Sequence, residues 1–167
     1  MSRLDSISFE ASDRTLDIVE QTLVAADWAC ERSEEGMIHC AAMTKWGEFG
    51  GMFVWREEPA SLNFSLTLDL RAPNAKHSAI SELLRRINER LWLGHFDYWN
   101  EEGVAVFRHT IPMLDRHAPD QGEITAVLAA ALDAADQFLP AFNFVVWAGK
   151  SAEEAVAAVV FETSGEA

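Results

Sequence analysis

Residues 62–70, LNFSLTLDL, alternate without a fault. Leu62, Phe64, Leu66, Leu68 and Leu70 fall on one side, and Asn63, Ser65, Thr67 and Asp69 on the other. Successive side chains of a strand point to opposite faces, so this stretch demands a sheet with one face in a core and the other wetter. Upstream, MIHCAAMTKW (37–46) and EFGGMFVWRE (48–57) are short runs, partly β-branched and aromatic, that meet at Trp46-Gly47. Pro59 in EEPAS (57–61) then breaks any ladder. Three consecutive strands joined by short turns form an antiparallel meander.

Helices must cover the leucine face. Ser12 can cap a first helix carrying Leu16, Val19, Leu23 and Ala26, closed by Trp28, with Asp13 and Asp17 near its N-terminal dipole. After Ala72-Pro73-Asn74, Asn74 can cap a second helix whose stripe is Ile80, Leu83, Leu84, Ile87 and Leu91, and Gly94 supplies a left-handed end. That stripe is expected to pack on the leucine face. Residues 95–99 alternate again, Asn100–Gly103 read as a hairpin loop, and VAVFRHTI (104–111) returns beside them. Asp120-x-x-Glu123 and Ser151-x-x-Glu154 are capping boxes for two more helices, the first broken or kinked at Pro140. AFNFVVWAGK (141–150) is expected to be largely buried. The order is α-β-β-β-α-β-β-α-α, which gives one α+β domain over residues 1–167 with an antiparallel sheet of about five strands and helices packed on it.

The net charge of −14 narrows the partners. Such a chain repels phosphate backbones and anionic headgroups unless its bases cluster. Arg71, Lys76, Arg85, Arg86 and Arg90 do cluster against only Glu82 and Glu89, but without aromatic interleaving they read as a solvated face with a Glu82–Arg86 pair. Residues 117–167 hold one base, Lys150, against eight acids, half of the total charge. Nucleic acid is not an expected partner. The longest apolar stretches, around 126–132 and 144–148, fall short of a bilayer span, and the start has neither a basic n-region nor an apolar h-region. A cytoplasmic protein with no membrane partner is therefore expected. Its two cysteines, Cys30 and Cys40, form no CxxC, and both are expected to be reduced, Cys40 as a buried thiol.

Catalysis has one candidate centre. His95 and Asp97 share a strand face, and His109 lies on the facing strand, so the three could form a base or half a metal site. No HxH, HExxH or CxxC supplies further ligands, and no GxSxG supplies a nucleophile. A structural joint, with His95 hydrogen-bonded at a helix end or across strands, is the expected role, with no cofactor. His39 and Cys40 are adjacent and point apart, and Gly50-Gly51 precedes no GK[ST], so neither pair makes a site. Among the tryptophans, Trp92 and Trp147 sit in apolar contexts and are expected in the core, while Trp46 and Trp99 sit beside turns and are candidates for surface recognition.

RINERLWLGHFDYW (86–99 region), GVAVFRHT and LPAFNFVVWAGKSAEEAVAAVVFETSGEA resemble the YbjN-like family of bacterial sensory transduction regulators over residues 45–167. The residues that carry it are Asn88, Leu91, Gly94, His95, Phe96, Gly103, Arg108, Pro140, Gly149, Lys150 and the Gly165-Glu166-Ala167 end. The resemblance implies a type III secretion chaperone-like fold and brings no catalytic or cofactor residues with it. Chaperones of that fold are small, acidic, cytosolic homodimers that bind extended protein segments. It thus implies a non-enzymatic, protein-binding regulator or chaperone-like adaptor. A small-molecule sensor with an apolar pocket between sheet and helices is the alternative, ahead of a metal-dependent enzyme at His95, Asp97 and His109.

Overall fold

The computed structural model describes residues 3–164, so the Gly165-Glu166-Ala167 end lies outside the described residues. The elements run α1 (Arg3–Ala25), β1 (Ala29–Arg32), β2 (Met37–Thr44), β3 (Gly47–Arg56), β4 (Ser61–Arg71), α2 (His77–Asn88), β5 (His95–Trp99), β6 (Val104–Pro112), α3 (Gln121–Val146) and α4 (Ala152–Ser164). The strands make an antiparallel sheet in the order β1-β2-β3-β4-β6-β5. The α+β class holds, with six strands where about five were expected. The added strand is β1, four residues at the edge whose sequence, ACER, carries no apolar alternation to reveal it.

Leu62, Phe64, Leu66, Leu68 and Leu70 of β4 are all buried. The register continues that face through Phe53 of β3 and Phe107 and Ile111 of β6. The helix over this leucine face is chiefly α3, which also meets β2 and β6; α1 covers β1–β3, and α2 packs against α3, α4 and β5. The α2 stripe therefore closes a helical layer at one end of the sheet, with Ile80, Leu83 and Ile87 buried. It does not lie flat on β4 as the sequence suggested.

Several helix ends differ from the sequence reading. α1 runs through Ser12 from Arg3, because nothing in DSISFEASDR breaks it. Asp13 and Asp17 consequently lie inside the helix, where they bind Arg32 of β1 at 2.6 and 2.8 Å rather than serve a dipole. Asn74 opens a 3-10 turn (Asn74–Lys76), and α2 starts without a side-chain cap. α2 stops at Asn88, six residues short of Gly94. The Glu82–Arg86 pair forms at 2.7 Å. Hydrogen bonds from Arg85 first, and from Arg86, bring the Glu82 carboxyl down to about 2.

Both capping boxes are present: Asp120 N–H donates to Glu123 at 2.8 Å, Ser151 N–H to Glu154 at 2.9 Å, and Glu154 N–H back to Ser151 Oγ at 3.2 Å. Pro140 neither ends nor splits α3. A proline lacks the N–H that would bond the carbonyl four residues earlier, here that of Asp136. Trp46 Nε1–H, from the β2–β3 turn, donates to that carbonyl at 2.9 Å. A side chain 90 positions away in sequence thus supplies the bond the helix cannot make for itself. With Pro140 accommodated, α3 is long and apolar enough to cross a membrane, beyond the stretches read from the sequence, yet half of its most apolar window is buried within the fold.

Candidate functional site

Asn88, Leu91, Gly94, His95 and Phe96 lie where α2 hands the chain to β5, whereas Gly149 and Lys150 lie beyond the C-terminal end of α3. Asn88, the last residue of α2, uses its whole side-chain amide: Nδ2–H donates to Phe96 O at 3.0 Å, and Oδ1 accepts from Phe96 N–H at 2.8 Å. β5 pairs with β6 on one side and ends the sheet on the other. The amide therefore occupies, at Phe96, the place a seventh strand would take. The next outward N–H, that of Tyr98, is held at 2.9 Å by the Asp97 carboxylate. Side chains seal this edge, a recurrent protection against unwanted pairing.

Gly94 has φ +72°, which favours glycine, but it does not cap a helix. A Cβ there would stand 2.2 Å from Phe107 Cζ and 2.9 Å from the Arg108 carbonyl oxygen. The glycine lets the chain pass over Phe107. Phe96, beside it, is buried and meets Phe107, Phe142 and Phe138 edge-on at centroid distances of 5.7, 5.5 and 6.5 Å, joining β5 and β6 to α3. Leu91 follows the helix and packs on the core half-buried.

The His95–Asp97–His109 centre is not assembled. His95 and Asp97 oppose Arg108 and Val106, whereas His109 opposes Phe64 on the core side of the sheet. Asp97 is committed to Arg108, at 3.0 Å across the ribbon. His109 is half-buried, and burial, with the nearby His95 charge second, pushes its pKa below the ordinary 6.5. Among the described residues no group of three or more His, Cys, Asp or Glu is placed to hold a metal.

At the far end of α3, Gly149 has φ +67°, Lys150 N–H returns to Phe144 O at 3.0 Å, and its ammonium lies 5.3 Å over the Phe144 ring. The tryptophans sort differently from expectation. Trp92 and Trp147 are 102% and 68% exposed, so neither is core: Trp92 lies in the connection between α2 and β5, and Trp147 caps the C-terminal end of α3. Trp46 is 49% exposed while tied to α3, and Trp99 is half-buried at the end of β5. An Arg86–Glu153 contact of 3.6 Å links α2 to the start of α4.

The opposite edge is open. Ser33 N–H bonds Met37 O at 2.8 Å, and bonded and non-bonded pairs alternate along an antiparallel ladder. Ala29 and Glu31 therefore bond β2, while the backbone groups of Cys30 and Arg32 point outward, and among the described residues nothing is hydrogen-bonded to them. Beneath this edge lies a cleft lined by Asp13, Arg32, Glu34, Glu35, Trp55 and Glu57, largely charged in character. No sequence signal could have located either edge arrangement, because both depend on β1 and on where α2 stops.

Comparison with curated proteins finds no match. Among solved structures, a chain in the "Crystal Structure of the ExsC-ExsE Complex" superimposes with a TM-score of 0.52 at 17% identity, covering 75% of this chain and 90% of that one, a likeness of fold. The sequence profile described as "YbjN: Putative bacterial sensory transduction regulator" matches residues 15–144, and the chain belongs to that family.

Proposed function

We propose that this chain is a non-enzymatic, protein-binding regulator of chaperone-like type, a cytoplasmic homodimer that takes an extended segment of a protein partner along the β1 edge. The observation that carries the reading is the asymmetry of the sheet. Asn88 and Asp97 close the β5 edge, whereas among the described residues the backbone groups of Cys30 and Arg32 at β1 have no hydrogen-bond partner. Strand addition uses such groups directly. The family supports a regulatory role, and the fold shared with a chain from the ExsC–ExsE complex supports partner binding. The net charge of −14 favours a basic protein segment over nucleic acid or an anionic membrane. Exposed Trp92 and Trp147 supply apolar surface for a second copy, and Trp99 offers partner contact at the β5 edge. No cofactor is required.

Affinity capture from bacterial cytosol with wild type, Cys30→Ala and Cys30→Pro tests the edge. Proline removes one outward N–H and leaves the bonds to β2 intact. The expected result is a protein retained by wild type and Cys30→Ala and lost by Cys30→Pro. Equal capture by all three would rule out β1 as the docking edge. Light scattering tests the dimer: a monomer of 18.6 kDa at micromolar concentration refutes it.

A further inference from the structure

Cys30 and Cys40 stand directly opposite each other in the β1–β2 register. Counting along the ladder from the Ser33–Met37 bond makes Glu31↔His39 a bonded pair and Cys30↔Cys40 a non-bonded one. Non-bonded pairs bring their Cα atoms to about 4.5 Å. That distance lies within the roughly 4.4–6.8 Å that a disulfide spans. Opposed residues also place their side chains on one face, here the core side, with Cys40 buried and Cys30 half-buried. Space for the sulfur comes from the next strand. Gly51 of β3 is the register partner of Cys40, and a Cβ there would stand 3.1 Å from Cys40 Sγ.

We propose that Cys30 and Cys40 are a modification site, a dithiol that closes to a reversible cross-strand disulfide with a low-molecular-weight disulfide of the glutathione class as oxidant. The thiolate of Cys30, the more accessible, attacks one oxidant sulfur; the oxidant S–S bond breaks and one small thiolate leaves. The Cys40 thiolate then attacks the Cys30 sulfur of the mixed disulfide and releases the second small thiolate. Two protons pass from the protein thiols to the departing thiolates, and two electrons pass from the cysteine pair to the oxidant. Burial first, then the neighbouring Cys30, pushes the Cys40 thiol up to about 12, and burial also raises Cys30. Closure is therefore slow at neutral pH and accelerates as pH rises. The inference rests on the register and does not depend on the partner reading.

The full reduced chain is incubated with excess glutathione disulfide between pH 7 and 9, quenched with an alkylating agent, and read by intact mass and peptide mapping. The expected product is a monomer lighter by two hydrogens, with a Cys30–Cys40 cross-linked peptide and both thiols lost together. Its melting temperature should rise by about 5–10 °C and fall back on reduction. Cys40→Ser should stop at a stable mixed disulfide on Cys30, and Cys30→Ser should leave Cys40 unmodified while the chain is folded. Wild type that accumulates the mixed disulfide at pH 9, or links two chains through Cys30, overturns the proposal.

Discussion

Replacing Pro140 with alanine should make the Trp46 indole N–H dispensable. In the wild type this N–H holds the Asp136 carbonyl at 2.9 Å because residue 140 has no N–H of its own. Trp46→Phe keeps an aromatic ring at the β2–β3 turn and removes the donor. A typical intramolecular hydrogen bond contributes about 0.5–1.5 kcal/mol net. The site is exposed, so water can partly replace the donor and the expected loss is about 1 kcal/mol. In a Pro140→Ala background the new N–H closes on the same carbonyl, and Trp46→Phe should then cost only a few tenths. The coupling between the positions is thus about 0.5–1 kcal/mol, above the scatter expected for independent sites. Pro140→Ala itself should stabilise, by up to about 3 kcal/mol on helix propensity. The four proteins are compared by urea unfolding followed by far-UV circular dichroism, since removing a tryptophan alters fluorescence directly. An equal cost of Trp46→Phe in both backgrounds, with unchanged m-values, would refute the reasoning.

Two further outcomes follow from the β5 joint, and a third from His109 of β6. Gly94→Ala should lose about 2–5 kcal/mol, from a left-handed backbone and overlap with Phe107, while Gly50→Ala, with nothing within 4 Å, should change stability by less than about 1 kcal/mol; similar effects would show that Gly94 is not sterically required. Asn88→Ala should cost about 1–3 kcal/mol by freeing both backbone groups of Phe96, with Asn88→Asp intermediate because it keeps the acceptor; denaturant midpoints at equal m decide it. His109 has a folded pKa below its ordinary 6.5, so the unfolded chain takes up the proton first. Its contribution is present above 6.5 and is lost as pH falls from there toward the folded value. Glu82 and Glu123, lowered by Arg85 and Arg116 respectively, act only below 4.5 and leave that window clear. His109→Gln should flatten stability between pH 7 and 5.5, and an unaltered slope would refute the assignment.

The parts of the fold visible in the sequence are those whose patterning is local. The alternation of 62–70 gave β4 and its buried face, and Gly103, with φ +71°, closes the β5–β6 hairpin where the loop was read. β1 was invisible because its place is set by β2 pairing and by Arg32 reaching across to Asp13 and Asp17, contacts that leave no period behind. For Gly94 the sequence carries the left-handed conformation but not the role, because such a glycine looks the same in sequence whether it ends a helix or clears a ring. Trp92 and Trp147 show the same limit, since apolar neighbours along the chain do not reveal which way a side chain faces. Asn88 was singled out by family resemblance alone, and only the end of α2 at that residue explains why its amide reaches Phe96.

A β-sheet with two bare margins is a template that can be extended from either side, and identical copies can then run on indefinitely. Here one margin carries its own stopper, the Asn88 amide and the Asp97 carboxylate, and the other is four residues long. Each copy therefore offers a single open edge, so copies joined β1 to β1 end as a pair, and copies cannot run on indefinitely by edge pairing alone.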